Sequence, residues 1–188
     1  IKNISEFMRY NMYGSDGTST LETELHHVTN YINVMDYRFD NKIRLQIDLP
    51  ERLLRQQVPK FTLQPIVENA VLHGFRQKKS DCEIRISGRI DGRDAWLEIA
   101  DNGSGIDART LAEINAGLDR AVPADGSEAG HVSIGILNVN SRLRLNYGEQ
   151  YGVRLSSCEG EGTTAEIHVP VLPADGLPEG ADGQAKES

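Results

Sequence analysis

Apolar residues in the first forty positions recur at helical spacing. Leu21, Leu25, Val28, Ile32 and Met35 stand four, three, four and three residues apart. That narrow seam predicts a helix over residues 20–37 that packs on one partner, either a second copy or the body of the chain's own domain. Thr18 or Ser19 is placed to cap it, and Glu22, three residues beyond Ser19, would complete a capping box. Upstream, Ile4, Phe7, Met8 and Met12 give residues 2–13 an approximate apolar stripe, and GSDGT at 14–18 reads as a loop.

From residue 43 the period changes to two. Ile43, Leu45, Ile47 and Leu49 alternate with polar residues until Pro50, which predicts a strand with one face on a core. Residues 83–90, with Ile84 and Ile86, and residues 95–101 form two more such runs, and Asp91-Gly92 between them predicts a hairpin. Pro59 precedes a long helix running from about residue 62 to 77, with Leu63, Ile66, Val67 and Ala70 on its apolar face. Residues 108–117 form a short helix, and residues 134–146 another with Ile136, Val139, Leu143 and Leu145 as buried candidates. Residues 153–157 and 164–169 are paired strands. Between the last two helices, residues 118–132 are rich in Gly, Ala, Asp and Ser and lack an apolar period, as a loop does. The stretch PADGLPEGADGQAKES from residue 173 has the composition of a disordered tail. Helices and strands that interleave in this way predict an α/β protein, a two-layer α/β sandwich whose mixed sheet is covered by helices on one face.

Composition narrows the reading. A chain of 188 residues fits one domain with a helical arm. Its net charge of −8 opposes a nucleic-acid partner, which calls for a basic stripe. Part of the acidity lies in the tail, where Asp175, Glu179, Asp182 and Glu187 face only Lys186. Cys82 and Cys158 fall at the ends of predicted strands and read as reduced, mostly buried thiols. No apolar run is long enough to cross a bilayer. The chain starts at Ile1, and the expectation is a piece of a longer parent that carries the membrane helices.

The candidate chemistry gathers in three places. DNGSGID, residues 101–107, directly follows a buried strand, so a fixed carboxylate is succeeded by glycines that let backbone approach a ligand. Asn69, His73 and Arg76 stand at i, i+4 and i+7 and form a polar strip on an otherwise apolar helix. Asn69 can give one amide oxygen to Mg²⁺, which needs few protein ligands. Downstream lie SIGILNVNSRL, with Gly135, and GEGT, residues 160–163. Taken singly, DNG is a common turn, an Asn bonds locally and GEGT is a hairpin loop.

Taken together and in this order, they resemble the nucleotide site of the GHKL ATP-binding superfamily, and more closely the LytS/YesM-type sensor histidine kinases of bacteria. LQPIVENAVLHG, residues 63–74, is the most family-specific stretch. MRYNMY, LETELHHVTNYINVMDYRF and NVNSRLRLNYGEQYG also match, and the resemblance spans residues 4–170. It implies the Bergerat ATP-binding fold, with nucleotide held between helices and sheet. It divides the chain into a partial helical dimerisation and phosphoacceptor region (1–39), a catalytic ATP-binding domain (40–172) and the tail (173–188).

The resemblance also implies roles for residues. Asn69 holds the metal. Glu68 is either a base that assists transfer or half of a structural ion pair. Asp101 accepts from the exocyclic amine of adenine, where guanine would present an opposing oxygen. Gly103 and Gly105 bring backbone to base and sugar, with Ile106 and Ile136 as further cofactor contacts. Gly130 and Gly135 flank the far end of a lid formed by residues 118–132, and backbone N–H groups before a helix at Ile134 meet phosphate. Thr163 contacts adenine through its hydroxyl. His73 and Arg76 are candidate phosphate partners. Leu72 departs from relatives that carry a phosphate-reaching Lys there, while Lys78 and Lys79 read as a solvated helix end. Pro65 stands where hydrolytic members of the superfamily carry a water-activating Glu, which favours transfer over hydrolysis.

The family's acceptor His lies in an N-P-H-F-like motif upstream of this segment, and no such motif occurs here. His26 and His27 are read as surface or packing residues. The implied function is the ATP- and Mg²⁺-dependent catalytic domain of a two-component sensor kinase. Its γ-phosphate would pass to a His on the parent's upstream phosphoacceptor helix and then to a response regulator. The parent would be a homodimeric membrane receptor with this part cytoplasmic, and this part would touch neither membrane nor nucleic acid. The piece alone would not autophosphorylate. The main alternative is a degenerate nucleotide-binding module that regulates without turnover. A GHKL ATPase machine and a serine-kinase relative are disfavoured, by Pro65 and by the 21–39 region respectively.

Overall fold

Five alternating segments assemble into one sheet in the order β2-β4-β5-β7-β6. They are β2 (Ile43–Asp48), β4 (Cys82–Asp91), β5 (Asp94–Asp101), β6 (Gly152–Cys158) and β7 (Gly162–Pro170). The β2–β4 pair is parallel and the other three pairs are antiparallel, so the sheet is mixed as expected. The computed structural model describes residues 17–38, 42–76, 81–120 and 131–172, with the side chains of 131–133 excepted. The expected helix at 2–13, most of the lid at 118–132, Lys78, Lys79, Gly130 and the tail lie outside the described residues.

Four helical segments lie over the sheet: α1 (Leu21–Arg38), α3 (Gln64–Asn69), α4 (Ala108–Asp119) and α5 (His131–Tyr147). A one-turn helix α2 (Glu51–Leu54) and two short strands, β1 (Thr18–Thr20) and β3 (Gln57–Pro59), complete the set. Core-facing strand residues such as Ile84, Ile86, Leu97, Ile99 and Ile167 are buried against Val67, Val139 and Leu143 of the helices. The outer face of the sheet is polar. On that face Trp96 stacks in parallel on His168 at 3.9 Å between ring centres, with Arg89 5.2 Å above the indole.

The seam on α1 now has its partner. Leu21, Leu25, Val28, Ile32 and Met35 all belong to the single hydrophobic core, so the seam meets the chain's own body. Thr20 caps this helix by accepting from Thr23 N at 3.2 Å, in place of the expected Thr18 or Ser19. Those two residues are drawn away because β1 pairs with β3, a ladder too short to show a period. The hairpin between β4 and β5 turns through Gly92 and Arg93, with Asp91 paired to Asp94. Two burial expectations are corrected. Leu145 is 87% exposed, because α5 turns it away from the sheet-facing stripe of Ile136, Val139 and Leu143. Cys158 is exposed at the end of an edge strand, whereas Cys82 is buried.

Candidate functional site

The helix expected over 62–77 is shorter and changes character at its end. After Asn69 the backbone widens into a π-helical turn, Ala70–Gly74. Such turns are frequent at functional sites because they re-aim the side chains around them. Here the turn delivers Gly74 to the loop after β5. The Gly74 carbonyl accepts from Ser104 N at 2.9 Å, and a Cβ on Gly103 would stand 2.6 Å from Gly74 atoms. The glycines of DNGSGID are therefore required by contact between two backbones.

A cavity of about 740 Å³ opens between this junction, the helices and the sheet, within the range of small-molecule sites. The helix and its π turn contribute Ile66, Asn69, Ala70, His73 and Gly74, with no carboxylate among them. Asp101, Gly103, Gly105 and Ile106 line the opposite side. Ile136 of α5 and Thr163 of β7 close it further. Of the expected contacts, Asp101, Gly103, Gly105, Ile106, Ile136 and Thr163, together with Asn69 and His73, share one cavity.

The other expected contacts fall elsewhere. Arg76 is exposed in the turn beyond the π segment and is not among the lining residues, because the helix ends before its third turn forms. Gly135 is also absent from the lining. The helix starts at His131 and not at Ile134, so Gly135 sits one turn inside it, where a Cβ would meet the Pro65 side chain at 3.3 Å. Glu68 is likewise not among the lining residues. Its Oε1 accepts from Gln64 Nε2 at 2.8 Å. It faces Tyr31 of α1, whose hydroxyl is pushed up to about 12 by burial and by the Glu68 charge. Leu72 is half exposed and outside the lining.

Asp101 is held by its own loop, since its Oδ1 accepts from Gly103 N at 2.8 Å. The next residue anchors the turn to β4, as Asn102 Oδ1 accepts from Glu83 N at 2.8 Å and its Nδ2 donates to Asp81 O at 2.8 Å. Ser157 joins the two sides of the cavity. Its hydroxyl accepts from Ile106 N at 2.9 Å, donates to Gly162 O at 2.6 Å and lies 3.0 Å from the Thr163 hydroxyl.

Sequence reasoning passed over Ser157, and also Thr110 and Ile114, which line the cavity. A signal for the last two existed: Asp107, Thr110 and Ile114 are spaced to share one face of α4. Asp107 caps that helix, accepting from Arg109 N at 3.1 Å and Thr110 N at 3.0 Å. The Thr110 backbone N–H foremost holds its carboxyl below the usual carboxylate range. A depressed folded value means stability that is present above the ordinary carboxyl range and lost as pH falls through the folded value. Asp107→Ala should therefore melt at lower temperature than the parent near neutral pH, and the gap should close in strong acid. Melting midpoints followed against pH will check this, and a gap that persists unchanged in acid would count against the cap.

The donor set fits an adenine nucleotide. Apolar walls from Ile66, Ala70, Ile136 and Ala165 face a carboxylate fixed at the cavity edge. For a divalent cation, Asn69 supplies one neutral oxygen, and no group of three or more His, Cys, Asp and Glu able to hold a metal occurs among the described residues. That suits a cation carried mostly by phosphate and water.

Comparison with known proteins identifies the family. Residues 59–173 match the family described as histidine kinase-, DNA gyrase B-, and HSP90-like ATPase, and residues 1–43 match the histidine kinase family. The chain is 34% identical to the sensor histidine kinase BtsS of Escherichia coli (strain K12) over 165 residues, 87% of this chain and 26% of that protein. It is 33% identical to the sensor protein LytS of Streptococcus agalactiae, covering 90% of this chain and 28% of the relative. It is 26% identical to the sensor histidine kinase YesM of Bacillus subtilis, covering 90% and 27%. The chain thus spans about a quarter of the length of the curated relatives it matches. Among solved structures, the catalytic domain of histidine kinase ThkA superposes with a TM-score of 0.57 at 12% identity, covering 84% of this chain and 98% of that one. That likeness shows the fold.

Proposed function

The chain belongs to the histidine kinase-, DNA gyrase B-, and HSP90-like ATPase family, and from that premise we propose that it is the ATP-binding catalytic part of a two-component sensor histidine kinase. The single observation that carries the reading is the convergence of Asn69, Asp101, Gly103, Gly105 and Thr163 on one cavity. Asp101 accepts from the adenine amine, and the Asn69 amide faces the phosphates. Mg²⁺, held by Asn69, phosphate and water, would neutralise charge on the phosphate oxygens. The bond between the γ-phosphorus and the β–γ bridging oxygen breaks, a phosphorus–nitrogen bond to the acceptor imidazole forms, and ADP leaves.

The acceptor His belongs to an upstream helix of the parent. A response regulator then takes the phosphoryl group on an Asp. Within this reading residues 1–39 are part of the dimerisation region of a homodimeric parent, residues 40–172 the catalytic domain and residues 173–188 its tail. Among the described residues no helix is long and apolar enough to cross a membrane. A cytoplasmic place in a membrane receptor belongs to the same reading, and the relatives YesM and LytS are named as sensors.

The test is a thermal-shift titration with Mg-ATP, Mg-ADP and Mg-GTP, followed by transfer of labelled γ-phosphate to a supplied His-bearing upstream segment. A ligand specific to the folded state adds about 2.7 kcal/mol at about 100 times its dissociation constant. The expected result is a shift with both adenine nucleotides, none with GTP, and label on the supplied His. Leu72, an apolar residue where the family resemblance implies a phosphate-reaching Lys, is the observation that favours a regulatory module without turnover. Nucleotide binding with no transfer at all would establish that alternative.

A further inference from the structure

Helix α3 begins without a cap of its own. Its N-cap position, Leu63, has no side-chain hydrogen bond to offer the first N–H groups. The loop leading into it is held from α1. Glu24, 1% exposed, accepts from Phe61 N at 2.9 Å through Oε1 and from Thr62 N and Leu63 N at 2.9 and 3.2 Å through Oε2. Ser19 Oγ donates to the same Oε1 at 2.9 Å. The opposite side of this loop is held by α5: Arg142 donates to Lys60 O at 2.6 Å and to Phe61 O at 2.8 Å. Phe61 sits at φ 60, a left-handed conformation that a bulky residue keeps only when its surroundings impose it. Here its N–H and its carbonyl are gripped from two different helices.

The grip leads to the cavity. Ile66 N and Val67 N both bond to Leu63 O, so the clamped loop is continuous with the first turn of α3. One face of that helix carries Ile66 and Asn69 into the cavity, and Ile136 of α5 lines it six residues before Arg142. Glu24 lies within the segment matched by the histidine kinase family, residues 1–43, while the loop it holds lies within the ATPase-family segment, residues 59–173. One buried carboxylate therefore joins the two matched segments at the root of the helix bearing Asn69.

We propose that Glu24 is a positioning residue: it ties the placement of α1 to that of Asn69, so that nucleotide affinity depends on where α1 sits. The inference rests on the nucleotide reading of the cavity. Glu24→Gln keeps the size but turns one acceptor oxygen into a donor facing backbone N–H groups, so the α3 root loses its fixed point. Calorimetric titration with a non-hydrolysable ATP analogue and Mg²⁺ is made on four proteins: the parent, Glu24→Gln, Asn69→Ala and the double variant. Coupled neighbours lose additivity. Glu24→Gln should weaken binding about ten-fold in the parent and less than about two-fold when Asn69 is already Ala.

A folded Glu24→Gln that binds like the parent overturns the inference. So does a loss that repeats in full on Asn69→Ala, since general loosening would be indifferent to Asn69. Should Glu24→Gln fail to fold, Glu24→Asp, which keeps the charge and withdraws it by one methylene, is read in the same comparison. Absence of binding by the parent overturns the nucleotide reading and this inference together, whereas binding that only Glu24 variants leave untouched overturns this inference alone.

Discussion

Asp101→Asn is expected to lower affinity for adenine nucleotides about a hundred-fold, close to 2.7 kcal/mol, while leaving the unliganded protein folded. The reason lies in the two carboxylate oxygens. Oδ1 accepts from Gly103 N at 2.8 Å, a bond that the amide oxygen of Asn can keep. The other position becomes an NH₂ group, which would face the adenine amine donor to donor. The substitution therefore separates the ligand role of Asp101 from its loop role in a way that Ala would not. Titration of both proteins with ATP, ADP and GTP will check it, alongside their unliganded melting curves. If the variant binds ATP as the parent does, the adenine role is wrong. If instead its unliganded melt collapses, Asp101 serves the loop first.

The second large effect concerns a methyl group. Gly105→Ala should destabilise the protein by about 2–4 kcal/mol and remove nucleotide binding with it. Gly105 has φ +67, and an added Cβ would lie 2.0 Å from the carbonyl oxygen of Cys158 and 2.8 Å from its carbonyl carbon. Both neighbours are backbone atoms and cannot swing aside, so the loop after β5 or the end of β6 must move. Gly92 supplies the control. It has a comparable φ of +61, but nothing lies within 4 Å of its added Cβ. Gly92→Ala should therefore show the conformational cost alone, about 1 kcal/mol. Urea denaturation of the two variants will compare them, and equal midpoints would mean that the close approach of Gly105 to Cys158 is not a constraint.

What could be read from sequence follows the reach of the signals. The sheet strands were legible because Ile84, Ile86, Leu97 and Ile99 place a period of two against one buried face. The cavity was legible where a residue type is forced by local geometry, as at Asp101, Gly103 and Gly105. Failures cluster where a long-range contact decides. The register of α5 is one: its helix begins three residues before the periodic run, which moved Gly135 from an expected phosphate loop to a packing position against Pro65. The π turn is another. Nothing in AVLHG distinguishes it from α-helix, yet it ends the helix early and leaves Arg76 outside the cavity. Glu24 was invisible for the same reason. Within α1 it looks like one more solvated acid, and only the loop 37 to 39 residues later reveals a buried acceptor.

The seam of α1 has a consequence for how the protein divides. By resemblance of sequence, residues before 40 belong with the dimerising arm. By shared core, Leu21, Leu25, Val28, Ile32 and Met35 belong with the sheet. A cut at residue 40 would strip five apolar side chains from the interior and remove the carboxylate that holds residues 61–63, so the piece downstream should be less stable than the whole. Inheritance and mechanics thus draw the border at different places. Where they disagree, a helix that looks like a handle for a partner is also a wall of the room it would move.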